Sequence, residues 1–427
     1  MTVAEAPWGE LERLLGAEGF SGGDNPAARP ADAEQTAAVV RWAGEHGIQI
    51  HVGQCRREGL PEPAARRGHQ PRCLRLELER MRRLRFYEPG DLTAGWDAGV
   101  TAAEVNRVLG ERGQFLPVDD GAAAGTAMLG AILAAHRSGP LRHGYGTVRD
   151  FVIGIEAVTA AGQIVHGGGK VVKNVAGYDL MRLLIGSCGT LAVITGVHCK
   201  VFPALQPTET VRWPLADLAA AERLRTRLLH APLRLIALEL GTAGYGAGER
   251  AAVEAPWVAL ARFQGSEAVR ARYRRELAAA GAELGLATAP RAPDQEAEAW
   301  AHWEQPPLPW AMGAPSGVAV QIVRQTAEMA QAEGRRLRLR GRLGLGVFGW
   351  GLEPMPAGGE RQAWNARWRT MAAAAHPDAW LRDRDEPMAA AWGGEMGDQK
   401  SGGWMRKLRR HLDPQGVFAE AGAEGGE

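Results

Sequence analysis

Apolar residues recur at helical spacing in Asp32–His46, where Ala37, Val40 and Ala43 share a face and Gly47 supplies a C-terminal stop. Ile48–Val52 follows as a short strand. Leu74–Leu78 and Leu92–Trp96 alternate apolar and polar residues, as half-buried strands do. Thr101–Arg112 returns to helical spacing, with Val105, Val108 and Leu109 on one face and Gly113 after it. Phe151–Val158 and Gln163–His166 read as a hairpin around Ala160-Ala161-Gly162, and Leu191–Phe202 as a long strand stopped by Pro203. Beyond Pro203 the chain becomes rich in Ala, Arg and Trp. Helices are predicted at Asp217–Leu229, Glu267–Ala280, Asp294–Trp303 and Gly359–Ala375, and strands at Leu233–Leu240, Trp257–Phe263, Val318–Val323 and Leu337–Phe348. This second half reads as α+β. There is no repeat of solenoid length, and Ala419–Glu427 is a small, acidic tail expected to fray.

A chain of 427 residues is long enough for two domains, each with its own core. Fifty basic residues balance forty-nine acidic ones, which argues against nucleic acid as a partner. The start, MTVAEAPWGELERLL, lacks the pattern of a secretory signal, and a cytoplasmic protein is expected. The longest apolar segment, near Ala127–Ala135, falls far short of the roughly 20 residues that span a bilayer. Cys55, Cys73, Cys188 and Cys199 form no C-x-x-C pair, which excludes an iron–sulfur cluster held by this chain alone and predicts reduced cysteines. The Trp-rich positions Trp303, Trp310, Trp350, Trp364 and Trp368 are expected in the core.

The segment Gly167–Thr195, GGGKVVKNVAGYDLMRLLIGSCGTLAVIT, carries the strongest chemical signal. Glycine turns on both sides of one short helix let two stretches of backbone approach one bound object, and the lysines suit an anionic one. Other chemistries fall away. Gly344-Leu345-Gly346-Val347-Phe348-Gly349 matches a dinucleotide fingerprint, but that motif must open a helix, and Pro354 and Pro356 oppose one. It reads as an irregular, glycine-rich strand. Gly169-Lys170 lacks the Ser or Thr of a phosphate loop, the eleven histidines lack metal-ligand spacing, and no G-x-S-x-G elbow occurs.

RPADAEQTAAVVRWAGEHGIQIHVG, from Arg29 to Gly53, resembles the opening of the FAD-binding domain shared by vanillyl-alcohol oxidase and p-cresol methylhydroxylase. Gly146-Thr147-Val148-Arg149-Asp150-Phe151-Val152-Ile153-Gly154 resembles that domain's flavin-binding strand. Lys173-Asn174-Val175-Ala176-Gly177-Tyr178-Asp179-Leu180 followed by GSCGTL narrows the likeness to the FAD-binding second subunits of bacterial three-subunit glycolate oxidases. The likeness runs from Arg29 to Pro203, thins through the second half and returns at HLDPQGVF, His411–Phe418. It implies an α+β fold: a two-subdomain FAD-binding domain at 29–205 and a smaller cap-like α+β domain at 206–410. An N-terminal extension, 1–28, precedes them, and a C-terminal segment, 411–427, rejoins the FAD domain.

The same resemblance implies where FAD is held. The pyrophosphate would lie on Gly53-Gln54-Cys55-Arg56-Arg57, where backbone N–H groups form an anion nest and arginines add charge-assisted hydrogen bonds. Relatives commonly carry glycines and serines in this loop. A second flavin segment comprises Leu129 and Gly130, within Ala127–Ala131, followed by Ser138 and Gly139. Relatives usually have Thr at Met128 and Gly at Ala131. Without the family, that run is a buried helix start. Thr147 and Asp150 belong to the flavin-supporting turn, with a plain turn cap as the structural role of Asp150. Gly186, Gly189, Thr190, Val193 and Ile194 would meet the cofactor through main-chain atoms. Lys173 would stabilise the reduced flavin's anion, and Tyr178 would close the cleft; a solvated lysine and a half-buried tyrosine are their structural counterparts. Cys55 and Cys188 fall in the same loops, with packing as their expected role and a covalent thioether to the cofactor as the alternative.

The implied function is that of an FAD-dependent oxidoreductase subunit oxidising a short 2-hydroxy acid, glycolate to glyoxylate. Its partners would be a larger FAD-binding subunit and an iron–sulfur subunit, with any membrane association peripheral and through them. The sequence offers no obvious His-plus-Arg pair to take the hydroxyl proton and clamp the carboxylate, so the chemical step is open to assignment on a partner. Two alternatives stand beside this: a flavin-weakened or flavin-free assembly subunit of that complex, and an independent flavin oxidoreductase with another substrate.

Overall fold

The computed structural model describes residues 8–23, 25–53, 73–118, 125–170, 179–243, 255–290, 300, 303, 308–383 and 407–419. The first half is built on two sheets. One has four strands in the order Phe20–Ser21, Ala27–Ala28, Cys73–Leu76, Gln49–Val52, with the last three parallel. The crossover to Gln49–Val52 is the helix Ala33–Glu45, begun by Asp32, whose carboxylate accepts from the Gln35 N–H at 2.7 Å. The other sheet is antiparallel, in the order Leu84–Glu88, Thr93–Asp97, Ala192–Lys200, Val152–Thr159, Ile164–Gly168. One apolar cluster joins both sheets, from Val40 and Ile50 to Trp96, Phe151 and Val193.

Residues near the other end of the chain complete the first sheet. Ile50 donates to the Val417 carbonyl at 2.7 Å and accepts from the Ala419 N–H at 2.9 Å, so residues 417–419 run parallel to Gln49–Val52. Both carboxylate oxygens of Asp413 accept from the N–H groups of Val417 and Phe418. The Phe418 ring is fully buried in the first core.

The outer face of the antiparallel sheet carries an ionic chain. Arg85 donates to Asp97 at 2.7 Å and to Glu156 at 2.6 Å, and Glu156 also accepts from Thr195 and meets His166. A side chain at Gly196 would fall on the Arg85 guanidinium, so glycine there lets the arginine lie flat across the central strand.

The second half is one antiparallel sheet of eight strands. Their order is Ala289–Pro290, Thr208–Leu215, Trp257–Gln264, Ala237–Thr242, Arg336–Arg342, Val347–Glu353, Trp310–Gly313, Trp380–Asp383. The helices Leu218–Leu229, Glu267–Glu283, Ser316–Ala332 and Gly358–Ala375 share its main core. Trp310, Trp350, Trp364 and Trp368 are fully buried there, with Trp310 and Trp350 stacked at 4.4 Å. Trp303 is buried in a smaller cluster with Val258 and Leu260, and the rest of Asp294–Trp303, apart from Trp300, lies outside the described residues.

Two expected strands are corrected. Val318–Val323 lies inside the helix Ser316–Ala332: Ala319, Val320, Ile322, Val323, Thr326 and Ala330 are buried along one helical stripe, and packing overrides the β preference of the branched residues. Leu337–Phe348 is a hairpin of two strands, Arg336–Arg342 and Val347–Glu353, with Gly346 in the left-handed region at φ 70° in its turn. Leu84–Glu88, Thr208–Leu215, Trp310–Gly313 and Trp380–Asp383 are strands that the alternation pattern missed. Cys73 and Cys199 are free thiols.

Candidate functional site

The residues that position the site come from five short segments of the first half and one hairpin of the second. Leu129 and Gly130 open the buried helix Leu129–Ala134, and Gly130 is there because of a close approach. Its N–H donates to the Ala98 carbonyl at 2.8 Å, and a methyl group would stand 2.9 Å from the Ala98 side chain. The turn at Gly186–Thr190 is knitted to the end of this helix: Gly186 donates to the Leu133 carbonyl at 3.0 Å and Cys188 to that of Ala134 at 2.8 Å. Gly186, Cys188 and Gly189 all have positive φ, a conformation costly for Cys188, and Arg149 buttresses the turn by donating to the Ile185 carbonyl at 2.8 Å.

Thr190 closes this turn on itself, its hydroxyl donating to the Ser187 carbonyl at 2.7 Å. Val193 and Ile194 are buried in the strand Ala192–Lys200, paired with Val158 and Ala157. Thr147 and Asp150 form a capping box: the Thr147 N–H donates to the Asp150 carboxylate at 2.6 Å and its hydroxyl does so at 2.9 Å. The structural role expected of Asp150 is thus present. Gly53 ends its strand by donating to the Leu76 carbonyl at 2.6 Å. Gln54, Cys55, Arg56, Arg57, Lys173 and Tyr178 lie outside the described residues.

Ser138 and Gly139 meet the second half of the chain. Arg342, at the end of the strand Arg336–Arg342, donates to the Gly139 carbonyl through Nε at 3.2 Å and to that of Ser138 through a terminal nitrogen. Arg142 approaches the Ser138 hydroxyl at 3.5 Å. Nearby, Tyr145 accepts from Gln264 at 2.7 Å, and His143 packs against Gly344, where a methyl would stand 2.5 Å from its Cε1. The glycine string that mimics a dinucleotide fingerprint is therefore a hairpin turn that makes room for an imidazole.

Nε2 of His136 and Oγ of Ser187 are buried without a hydrogen-bond partner, with His136 against Gly186 beside Ser187; Nδ1 of His143, at the Gly344 contact, is a third such atom. Buried polar groups are rarely left so, and a cluster of them suits a polar ligand. Burial, then the charges of Arg149 and Arg142, push His136 down to about 4, against a weaker opposing pull from Asp150. Burial also lowers His143. Burial and then Arg342 lower Arg142, with Asp150 opposing. His136 is thus neutral at pH 7 beside the guanidiniums of Arg149 and Arg142, and burial favours the neutral form of His143 as well. This His-plus-Arg arrangement was missed in the sequence because Arg342 is distant along the chain; the only local hint is the basic run His136-Arg137-Ser138-Gly139-Pro140-Leu141-Arg142-His143.

Residues 25–168 match the family model described as FAD binding domain. This stretch is an FAD-binding domain. The orphaned Nε2 of His136 and, just beyond this stretch, the orphaned hydroxyl of Ser187 fit a polar cofactor. Among curated proteins, the chain is 31% identical over 195 residues to a D-lactate dehydrogenase of Archaeoglobus fulgidus, covering 45% of this chain and 42% of that one. It is 38% identical over 126 residues to glycolate oxidase subunit GlcE of Escherichia coli, covering 30% and 36%. It is 34% identical over 220 residues to glycolate oxidase subunit GlcD of Bacillus subtilis, covering 49% and 44%. The matched region spans less than half the length of each of these relatives. Among solved structures, alkyldihydroxyacetonephosphate synthase superposes with a TM-score of 0.66 at 15% identity, covering 93% of this chain and 76% of that one, a likeness of fold. Among the described residues, no cluster of His, Cys, Asp or Glu is arranged to hold a metal, and no helix is long and apolar enough to cross a membrane.

Proposed function

We propose that this chain is an FAD-dependent oxidoreductase subunit that acts on short 2-hydroxy acids, with glycolate to glyoxylate as its reaction. In this reading it works in the cytoplasm beside a larger flavin subunit and an iron–sulfur subunit. The observation that carries it is the junction at Ser138–Gly139, where Arg142 of the FAD-binding domain and Arg342 of the second half converge, two residues from His136 and its unpartnered nitrogen. The names of the relatives, two glycolate oxidase subunits and a D-lactate dehydrogenase, support the substrate class.

FAD, when bound, supplies a two-electron acceptor. The chain's residues would hold it with Gly53–Arg57, Leu129, Gly130, Ser138, Gly139, Thr147, Asp150, Lys173, Tyr178 and the turn Gly186–Thr190 with Val193 and Ile194. Oxidising a hydroxy acid also requires that the hydroxyl proton be accepted. Nε2 of His136, buried and unpartnered, would accept a hydrogen bond from that hydroxyl, while Nδ1 of His143 faces Gly344 and packs the hairpin turn.

The test is a visible spectrum of the purified chain, followed by anaerobic addition of glycolate, D-lactate or D-2-hydroxyglutarate. A flavin spectrum that glycolate bleaches supports the reading. A protein that stays colourless after incubation with FAD overturns it in favour of an assembly subunit. Bleaching by another acid alone reassigns the substrate.

A further inference from the structure

We propose that Arg142 and Arg342, converging on Ser138 where the two halves of the chain meet, form a clamp for the carboxylate of a small organic acid. The assignment of that acid to the substrate rests on the oxidoreductase reading above.

The first argument is charge. Arg342 reaches Ser138 and Gly139 from the second half through their carbonyls, and Arg142 reaches the Ser138 hydroxyl from within the first. Two guanidiniums brought to one residue repel each other, and Arg342 lowers the proton affinity of Arg142. Among the described residues neither makes an ion pair. The carboxylate felt by Arg142, that of Asp150, is already held by the N–H and hydroxyl of Thr147. Partly buried like charges that lack a counter-ion define a place where an anion is stabilised; Arg142 can offer a fork to a carboxylate's two oxygens, while Arg342, held by the Gly139 and Ser138 carbonyls, adds its charge and its remaining N–H groups.

The second argument is unsatisfied polarity. Ser187, only 2% exposed, leaves its hydroxyl without a partner, and so does the buried Nε2 of His136. His136 lies against Gly186, next to Ser187, and feels the charges of Arg149 and Arg142. The unsatisfied atoms and the unpaired cations therefore belong to one neighbourhood. Because the clamp draws one arginine from each half, an acid bound there would also tie the halves together, at the kind of seam where small-molecule sites commonly form.

Oxalate, a two-carbon dianion with no hydroxyl to oxidise, is the probe. It is titrated calorimetrically into the full-length chain, with FAD content read from the visible spectrum and Tm measured alongside. The variants are Arg142→Met, Arg142→Lys, Arg342→Lys and, as a distant control, Arg107→Met from an exposed helical ion pair. Arg142→Met is expected to weaken oxalate at least about 30-fold, as truncating one side of a desolvated charge pair does. Arg342→Lys keeps the charge but loses the paired carbonyl contacts that seat it, for a loss of about 5–10-fold. Arg107→Met binds as wild type, and oxalate raises the Tm of wild type more than that of Arg142→Met. If Arg142→Met lowers Tm in the absence of ligand, Arg142→Lys replaces it, with the 5–10-fold expectation.

Wild-type protein that binds no oxalate, or a position-142 variant that binds it as wild type does, overturns the clamp. Loss of FAD together with oxalate would assign the arginines to the cofactor's phosphates and overturn it as well. Bleaching by glycolate at an unchanged KM in Arg142→Met sinks the clamp and spares the oxidoreductase reading. Oxalate binding lost in Arg142→Met, in a flavoprotein that glycolate never reduces, keeps the anion site and sinks that reading.

Discussion

His143 lies against Gly344 so closely that one added methyl group would stand 2.5 Å from its ring. The contact joins the short helix Arg142–Tyr145 of the FAD-binding domain to the hairpin turn between Arg336–Arg342 and Val347–Glu353. Gly344→Ala is therefore expected to cost about 1–3 kcal/mol by overpacking. In the double variant with His143→Ala, much of that cost should disappear, because the clash has lost its partner. Urea denaturation of the four proteins of this cycle measures the coupling, and additive losses would show that the contact carries none.

His136 should make stability depend on pH. Its folded pKa of about 4 lies below the ordinary 6.5, so between those values the unfolded chain binds a proton that the folded chain does not. Folding is then weakened as pH falls from 6.5 towards 4, by up to roughly 3 kcal/mol, and below that the penalty is constant. His136→Asn removes this dependence while tolerating the left-handed backbone at φ 49°. Denaturation midpoints at a series of pH values check it: the variant's curve should be flatter than wild type's across that window.

Glu156 binds the outer face of the antiparallel sheet together. Burial opposes its ionisation, yet hydrogen bonds and charge from Arg85, with Thr195 and His166, hold the carboxyl below its ordinary range. Glu156→Gln should destabilise by about 1–3 kcal/mol by leaving the partly buried Arg85 with less counter-charge. Since the depressed pKa stabilises the fold above the unfolded value of 4.5, the gap between variant and wild type should narrow as pH falls below it. Thermal unfolding at neutral and acid pH reads both effects.

Much of the first half was legible because its signals are local. Asp32 before an apolar stripe marks the helix Ala33–Glu45, and the β-branched run Val193-Ile194-Thr195 marks the strand Ala192–Lys200. In the second half, Val318, Val320, Ile322 and Val323 resemble a buried strand, and only the neighbouring sheet, absent from any local window, decides for helix. The candidate site was half legible. Glycine turns announce themselves, since few other residues tolerate their backbone. The meeting of Arg342 with Ser138 leaves no local trace, because it is produced by the packing of two separately built cores.

Phe418→Ala should cost about 3–5 kcal/mol, the loss expected for a fully buried aromatic ring. Its effect should reach the cofactor, since residues 417–419 pair with the strand that ends at Gly53. FAD retained after gel filtration is the measurement, with a smaller loss for Asp413→Ala, which removes two hydrogen bonds.

That pairing also sets an order on the making of the protein. As the chain leaves the ribosome, Gln49–Val52 emerges early, but its neighbour at 417–419 follows only after the whole second half has been synthesised. The sheet edge beside the cofactor loops therefore waits open during translation, and the FAD-binding domain is sealed only when the rest of the molecule has already had time to fold.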